Sequence, residues 1–284
     1  MRETSLAFGP DGNLVGTVCV PGGAHRANVG MVLFNAGLVH RIGPHRINVR
    51  LARSLASTGI PSIRFDLSGQ GDSGRRTGAE SFDEQVFRDI ASAMDALGRE
   101  SGASRFSLFG FCSGGVHGFA AAQRDARIAG LLLYDTYFYP TVLSRLNRYA
   151  LSIRDRGLVV AASDWIRRKL AKRPAGESAP VGANGTESFR TPSRAEFAEV
   201  VLRLVARGSK VGVIYSGSFN GYNYAGQFHD TFRRWRFGPR VTCDYLPSLG
   251  HSTTILSDQQ ALIELIVEWT RELDAFLRDA NAPP

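Results

Sequence analysis

The stretch that most constrains this chain is Phe106 to Gly118. Phe106, Leu108 and Phe109 read as a short buried strand, and Phe119 and Ala122 continue a helix that begins only a few residues later. Between them stands Gly110-Phe111-Cys112-Ser113-Gly114. A strand that turns at once into a helix strains the residue at the apex, and side chains two positions before and after it collide with the crossing backbone. Glycine at 110 and 114 removes those collisions. Ser113 is the rival apex, but that register puts Phe111 where a small residue is needed, so Cys112 is the candidate nucleophile. The competing reading is a glycine-rich turn around an inert, buried thiol, a common fate for cysteine.

The 284 residues, 43% hydrophobic and 21% charged, suit one large α/β domain with an insertion. The opening Met1-Arg2-Glu3-Thr4-Ser5-Leu6 has no long apolar run behind it, so no signal peptide is expected, and no stretch reaches membrane-spanning length. Cys19, Cys112 and Cys243 form an odd set without metal-ligand spacing. That pattern points to free thiols in a reducing cytoplasm, with neither metal nor cofactor expected. The net charge of +8 admits an acidic partner, yet Lys169, Lys172 and Lys210 are the only lysines, so the charge is nearly all arginine. No nucleic-acid motif accompanies it, and nucleic-acid binding is not expected.

Residues 3–8 and 13–20 alternate around Gly9-Pro10-Asp11-Gly12 and predict a hairpin. Residues 30–35 predict a buried strand, followed by a helix from Pro44 through Ile47, Leu51 and Leu55 to Gly59. Ile60 to Phe65 is the next strand, leading into Asp66 and the loop Gly69-Gln70-Gly71-Asp72-Ser73-Gly74. Ser81 and Glu84 form a capping-box pattern for a helix to Leu97. Ile128 to Tyr134 is another apolar strand, ending at Asp135. Helices are expected at 141–156 and 158–172, then a flexible Pro/Gly/Ser/Ala-rich stretch near 173–192. A helix capped by Ser193 and Glu196, strands at 210–215 and 241–246, and a closing helix capped by Ser257 and Gln260 complete the chain. Such alternation builds a mainly parallel sheet covered on both faces.

Three motifs carry a family resemblance: Ala36-Gly37-Leu38 after the third strand, the Cys112 turn after the fifth, and Gly250-His251 after the eighth. With them, roughly residues 25–136 and 193–275 resemble an α/β-hydrolase of the branch that inserts a lid after the sixth strand. The resemblance implies an α/β-hydrolase core from 1–136 and 193–284, with 137–192 as a helical lid. It implies that His251 is the general base and that backbone N–H groups of Ser113 and of Gly37 or Leu38 form the oxyanion hole. The family most often places its acid after the seventh strand, but Tyr215 to Tyr224 holds no carboxylate, and Asn220 cannot carry charge. Asp135, at the end of the sixth strand, is the preferred acid, against a role in capping the first lid helix; Asp244 and Asp230 are fallbacks. Asp66 and its loop read as scaffold. His40, Arg41, Phe111 and Tyr137 adjoin these motifs and are the candidate substrate contacts. His45 is a weaker one, His117 is expected to pack, and His25 and His229 carry no signal.

A thiol of ordinary pKa about 8.5 falls toward neutrality beside a histidine and at a helix N-terminus. The expected chemistry is therefore cleavage of a thioester or ester through an acyl-S-Cys112 intermediate. Transfer of the acyl or aminoacyl group to a carrier thiol or an amine is the second reading, and a catalytically silent small-molecule module the third. Dienelactone hydrolases are similar cysteine versions that use water. An arginine-rich lid (Arg145, Arg148, Arg154, Arg167, Arg168) either docks an acidic acyl carrier protein or a coenzyme A-type arm, or is a solvated face.

Overall fold

In the computed structural model of the protein, residues 1–23, 27–75, 79–156, 191–218 and 221–280 are described. The helix expected at 158–172, nearly all of the stretch expected to be flexible, His25, Asn220, Arg167 and Arg168 lie outside them. The hairpin is strands β1 (Arg2–Phe8) and β2 (Leu14–Val20), paired antiparallel. Strands β3 (Val29–Leu33), β4 (Ser62–Phe65), β5 (Arg105–Phe111), β6 (Ile128–Tyr134), β7 (Lys210–Ser216) and β8 (Val241–Leu246) follow. Among the described residues these make an eight-stranded sheet in the order β1-β2-β4-β3-β5-β6-β7-β8. From β4 to β8 every neighbouring pair is parallel; β2 meets β4 antiparallel.

Parallel neighbours require crossovers, and helices supply them on both faces. Helices α1 (Ile47–Ser57) and α7 (Leu256–Ala280) cover one face, burying Ile47, Leu51, Leu55, Leu262, Ile266 and Trp269 against Met31, Phe109 and Leu132. Helices α2 (Phe82–Ser101), α3 (Ser113–Arg124) and α5 (Arg194–Ala206) cover the other, where Ile90, Phe119 and Phe197 meet Val32, Leu108 and Leu131. Neighbouring strand residues thus feed opposite layers, as the pleat demands. Helix α4 (Val142–Arg156) lies in the insertion after β6, and a short α6 (Gln227–Phe232), not anticipated from sequence, follows β7. No helix among the described residues is long and apolar enough to cross a membrane.

Two helix starts differ from expectation. His45 (φ 48°) and Arg46 (φ 65°) are left-handed, so Pro44 opens a 3₁₀ turn and the regular helix waits until Ile47. The closing helix begins at Leu256, one residue before its expected cap. The reciprocal capping box closes at Ser193 and Glu196; at Ser81 the hydroxyl accepts the Glu84 N–H at 3.3 Å.

Candidate active site

The site is assembled at the carboxyl ends of β3, β5, β6, β7 and β8, where a parallel sheet gathers its loops. Strand β5 delivers Cys112 at φ 52° and ψ −118°, outside the regions L-residues favour, with α3 starting at the next residue. The Cys112 N–H donates to the Tyr134 carbonyl at 2.8 Å, fixing the turn to β6. The crowding is real: a Cβ on Gly110 would overlap the backbone of Gly115, and one on Gly114 would lie 2.7 Å from the Asn35 carbonyl oxygen. Gly115 is equally constrained, because a Cβ there would run into Thr136.

His251 comes from the loop after β8, and its ring is set by its neighbours. It stacks on Tyr134 at 6.2 Å between centroids and tilts against Phe111 at 5.7 Å. The Tyr134 hydroxyl donates to the Gly250 carbonyl at 3.2 Å, and the His251 N–H donates to Ser218 Oγ at 2.5 Å. One edge of the imidazole hydrogen-bonds Cys112. On the other, Nδ1 lies 2.7 Å from Asp135 Oδ2. Hydrogen bonding to Asp135 first, then to Cys112, outweighs the burial that opposes charge and pushes His251 up to about 10.

Asp135 is the first residue past β6, buried, and left-handed at φ 46°, a conformation aspartate tolerates better than most residues. Ser216, at the end of β7, donates its N–H to Oδ1 at 2.8 Å and its hydroxyl to Oδ2 at 2.6 Å. The structure therefore brings Cys112, His251 and Asp135 together. The fallback acids lie elsewhere: Asp230 accepts the Tyr224 hydroxyl at 2.8 Å, and Asp244 is half-buried on β8 with its carboxyl raised by burial.

Of the residues expected to form the oxyanion hole, Gly37 and Ser113 meet. The Gly37 N–H donates to Ser113 Oγ at 2.7 Å, so at rest that donor is engaged by the hydroxyl of the residue after Cys112. The N–H of Ser113, first in α3, has no carbonyl within its own helix to bond. Leu38 stands exposed at the tip of the turn closed by the Val39 N–H to Ala36 carbonyl bond of 3.1 Å.

The expected substrate contacts divide. Phe111 is the wall behind His251. Tyr137 is buried, with ring contacts to Phe119 and Phe197. His40 and Arg41 are spoken for by carboxylates: Arg41 Nη1 reaches Asp66 Oδ2 at 2.5 Å and Asp72 Oδ2 at 2.6 Å, and His40 Nε2 lies 3.2 Å from Asp72. His40, Asp66 and Asp72 present donors close enough for a metal ion, but the Arg41 guanidinium occupies the cation's place. His117 packs edge-on against Phe82, and burial lowers its pKa; His229 is exposed. Cys19 and Cys243 are free thiols whose pKa burial raises, Cys243 to about 12.

Sequence reasoning missed Ser216, Ser218 and Tyr134. The signal was present in Tyr215-Ser216-Gly217-Ser218: a loop without a carboxylate but with two hydroxyls is suited to hold a carboxylate arriving from the next strand.

A strained strand-to-helix turn after β5, a histidine after β8 and an aspartate after β6 bonded to it, on this strand order, fit an α/β-hydrolase. Residues 30–173, slightly more than half of the chain, match the family described as serine aminopeptidase, S33, and the chain belongs to that family. The family's name specifies serine, whereas the apex residue here is Cys112. No curated protein matches the chain. Among solved structures, it is similar to a dienelactone hydrolase from Anabaena variabilis (15% identity, 95% of this chain and 96% of that one, TM-score 0.55). It is also similar to the esterase domain of a Rhodothermus marinus protein (15% identity, 95% and 98%, TM-score 0.55). A meta-cleavage product hydrolase from Pseudomonas fluorescens is a third (17% identity, 95% and 97%, TM-score 0.54). At such identities the likeness speaks to the fold.

Proposed function

We propose that the protein is a cysteine-dependent acyl hydrolase acting on a thioester or ester, in a reducing cytoplasmic setting, without metal or cofactor. One observation carries the reading: the apex thiol is within hydrogen-bonding reach of an imidazole whose far nitrogen is held by a buried carboxylate. The proton of the Cys112 thiol passes to His251, forming a thiolate–imidazolium pair. The Cys112 sulfur attacks the acyl carbon, and the carbonyl oxygen takes up negative charge near the N–H groups of Ser113, Gly37 and Leu38. The forming oxyanion competes with Ser113 Oγ for the Gly37 N–H. When the tetrahedral centre collapses, His251 gives its proton to the departing sulfur or oxygen and the acyl-S-Cys112 bond remains. Water then attacks with its proton passing to His251 as the Cys112 sulfur departs, releasing the acid and restoring the thiolate–imidazolium pair. Asp135 holds the imidazole in orientation and balances its charge throughout.

The esterase and hydrolase neighbours support ester-type chemistry on this fold. A silent binding module, suggested by the lack of a carboxylate at 215–224, would need no acid beside His251, and Asp135 Oδ2 lies 2.7 Å from its Nδ1. Acyl transfer shares the same intermediate and differs only in the acceptor. The test is intact-protein mass after mixing with acyl-thioester donors. A covalent acyl adduct is expected on the wild type and not on Cys112→Ala. Clearance of the adduct in water alone supports hydrolysis; persistence until an amine or thiol is added favours transfer. No adduct with any donor refutes both.

A further inference from the structure

A cavity of about 640 Å³ opens between the start of the insertion and the segment after β7. Four arginines line it: Arg145 on α4, Arg194 on α5, and Arg233 and Arg234 just past α6. Arg194 donates to the Pro140 carbonyl at 2.6 Å. Arg145, Arg233 and Arg234 make no ion pair among the described residues, whereas Arg53, Arg88 and Arg127 on other surfaces each meet a carboxylate. The single acid in the wall, Asp230, is bonded by the Tyr224 hydroxyl, and Trp235 adds an aromatic side. An arginine-rich composition alone scatters charge; here it is gathered around one concavity, where mutual repulsion costs free energy that a bound anion returns.

The cavity also lies on the functional edge of the sheet. Pro140 is five residues past Asp135, so the chain between them spans at most about 18 Å. An extended pantetheine arm separates a thioester sulfur from its phosphate by a similar reach. Guanidinium forks match phosphate oxygens two at a time, which a lone carboxylate does not require. We infer that this cavity holds the phosphate of a phosphopantetheine-bearing acyl donor while its thioester lies at Cys112. The inference rests on the thioester reading above and supplies its substrate class.

The experiment compares kcat/KM for one acyl group carried on pantetheine, phosphopantetheine, coenzyme A and a carrier protein. The wild type is expected to prefer acyl-phosphopantetheine over acyl-pantetheine by about ten-fold, one charge-assisted contact's worth. The preference should shrink with added salt. It should vanish in the Arg145→Ala/Arg233→Ala/Arg234→Ala variant, with acyl-pantetheine turnover unchanged. Arg236→Ala, an exposed arginine outside the cavity wall, should keep it. A further gain with coenzyme A or with the carrier protein identifies which of them supplies the phosphate. Equal use of phosphorylated and unphosphorylated arms by the wild type overturns the assignment. If no thioester is turned over, calorimetric titration with phosphopantetheine and pantetheine still decides. Phosphate-dependent binding lost in the triple variant upholds the site while the catalytic reading fails, and equal or absent binding sinks the site.

Discussion

At the scale of single residues, His251 is governed by what faces it. Its pKa of about 10 has hydrogen bonding to Asp135 as its largest cause, so the imidazole carries its proton across the neutral range and loses it only in alkali. The folded value lies above the unfolded one near 6.5, so the pair's contribution to stability is whole below about pH 6.5 and disappears as pH rises through about 10. Asp135→Asn removes the dominant cause and keeps the shape. The imidazole titration, followed by NMR, is then expected to fall by several units toward 6.5, and the alkaline limb of kcat/KM should move down with it. An unmoved titration would show that Asp135 does not act on His251. Among the described residues the other two thiols have no imidazole partner: burial raises both, and Cys243 meets the Tyr222 hydroxyl at 3.4 Å.

At the scale of elements, the strand-turn-helix unit around Cys112 is the part that sequence made most legible, because sterics alone dictate its glycines. Gly110 and Gly114 were readable from spacing; Gly115 was not, since what it avoids is Thr136, from the loop after β6. The same divide holds for the acid. That Asp135 ends an apolar strand is written in Leu133-Tyr134-Asp135, whereas its two bonds from Ser216 depend on β6 pairing with β7. The left-handed His45 and Arg46 and the short α6 escaped notice because local turns of that length leave no periodic trace. Gly110→Ala forces a methyl into backbone that has no side chain to swing aside. A loss of about 1–3 kcal/mol in urea denaturation is expected, with Cys112 alkylation slowed in the protein that remains folded. Wild-type stability in this variant would mean the elbow is looser than its contacts imply.

At the scale of the whole molecule, two buried carboxylates, each one residue past a strand, tie the loops of the functional edge together. Asp135 joins the ends of β6, β7 and β8. Asp66 joins those of β3 and β4: it accepts the Asn35 side-chain amide at 2.8 Å, the Arg41 N–H at 2.7 Å and the Arg41 guanidinium. His40 and Arg41, which sequence placed beside the substrate by their position near Gly37, belong to this second hub instead. A residue's place in a loop is legible in sequence; the partner that claims its side chain is not. Arg41 makes bonds of nearly equal length to Asp66 and Asp72, so their burial, not their distance, must separate their worth: side-chain exposure is 0% for Asp66 and 59% for Asp72. Neutralising the buried member leaves Arg41, itself only 13% exposed, with the solvent-exposed Asp72 as its remaining counter-charge. Asp66→Asn is accordingly expected to lower stability by about 3 kcal/mol, and Asp72→Asn by less than about 1 kcal/mol. Urea titrations of both variants check the ratio, and equal losses would mean that solvent screens the hub throughout. Because the Gly37 turn hangs from this hub, the folded fraction of Asp66→Asn should still alkylate at Cys112, a reaction that forms no oxyanion, while losing acyl turnover, which does.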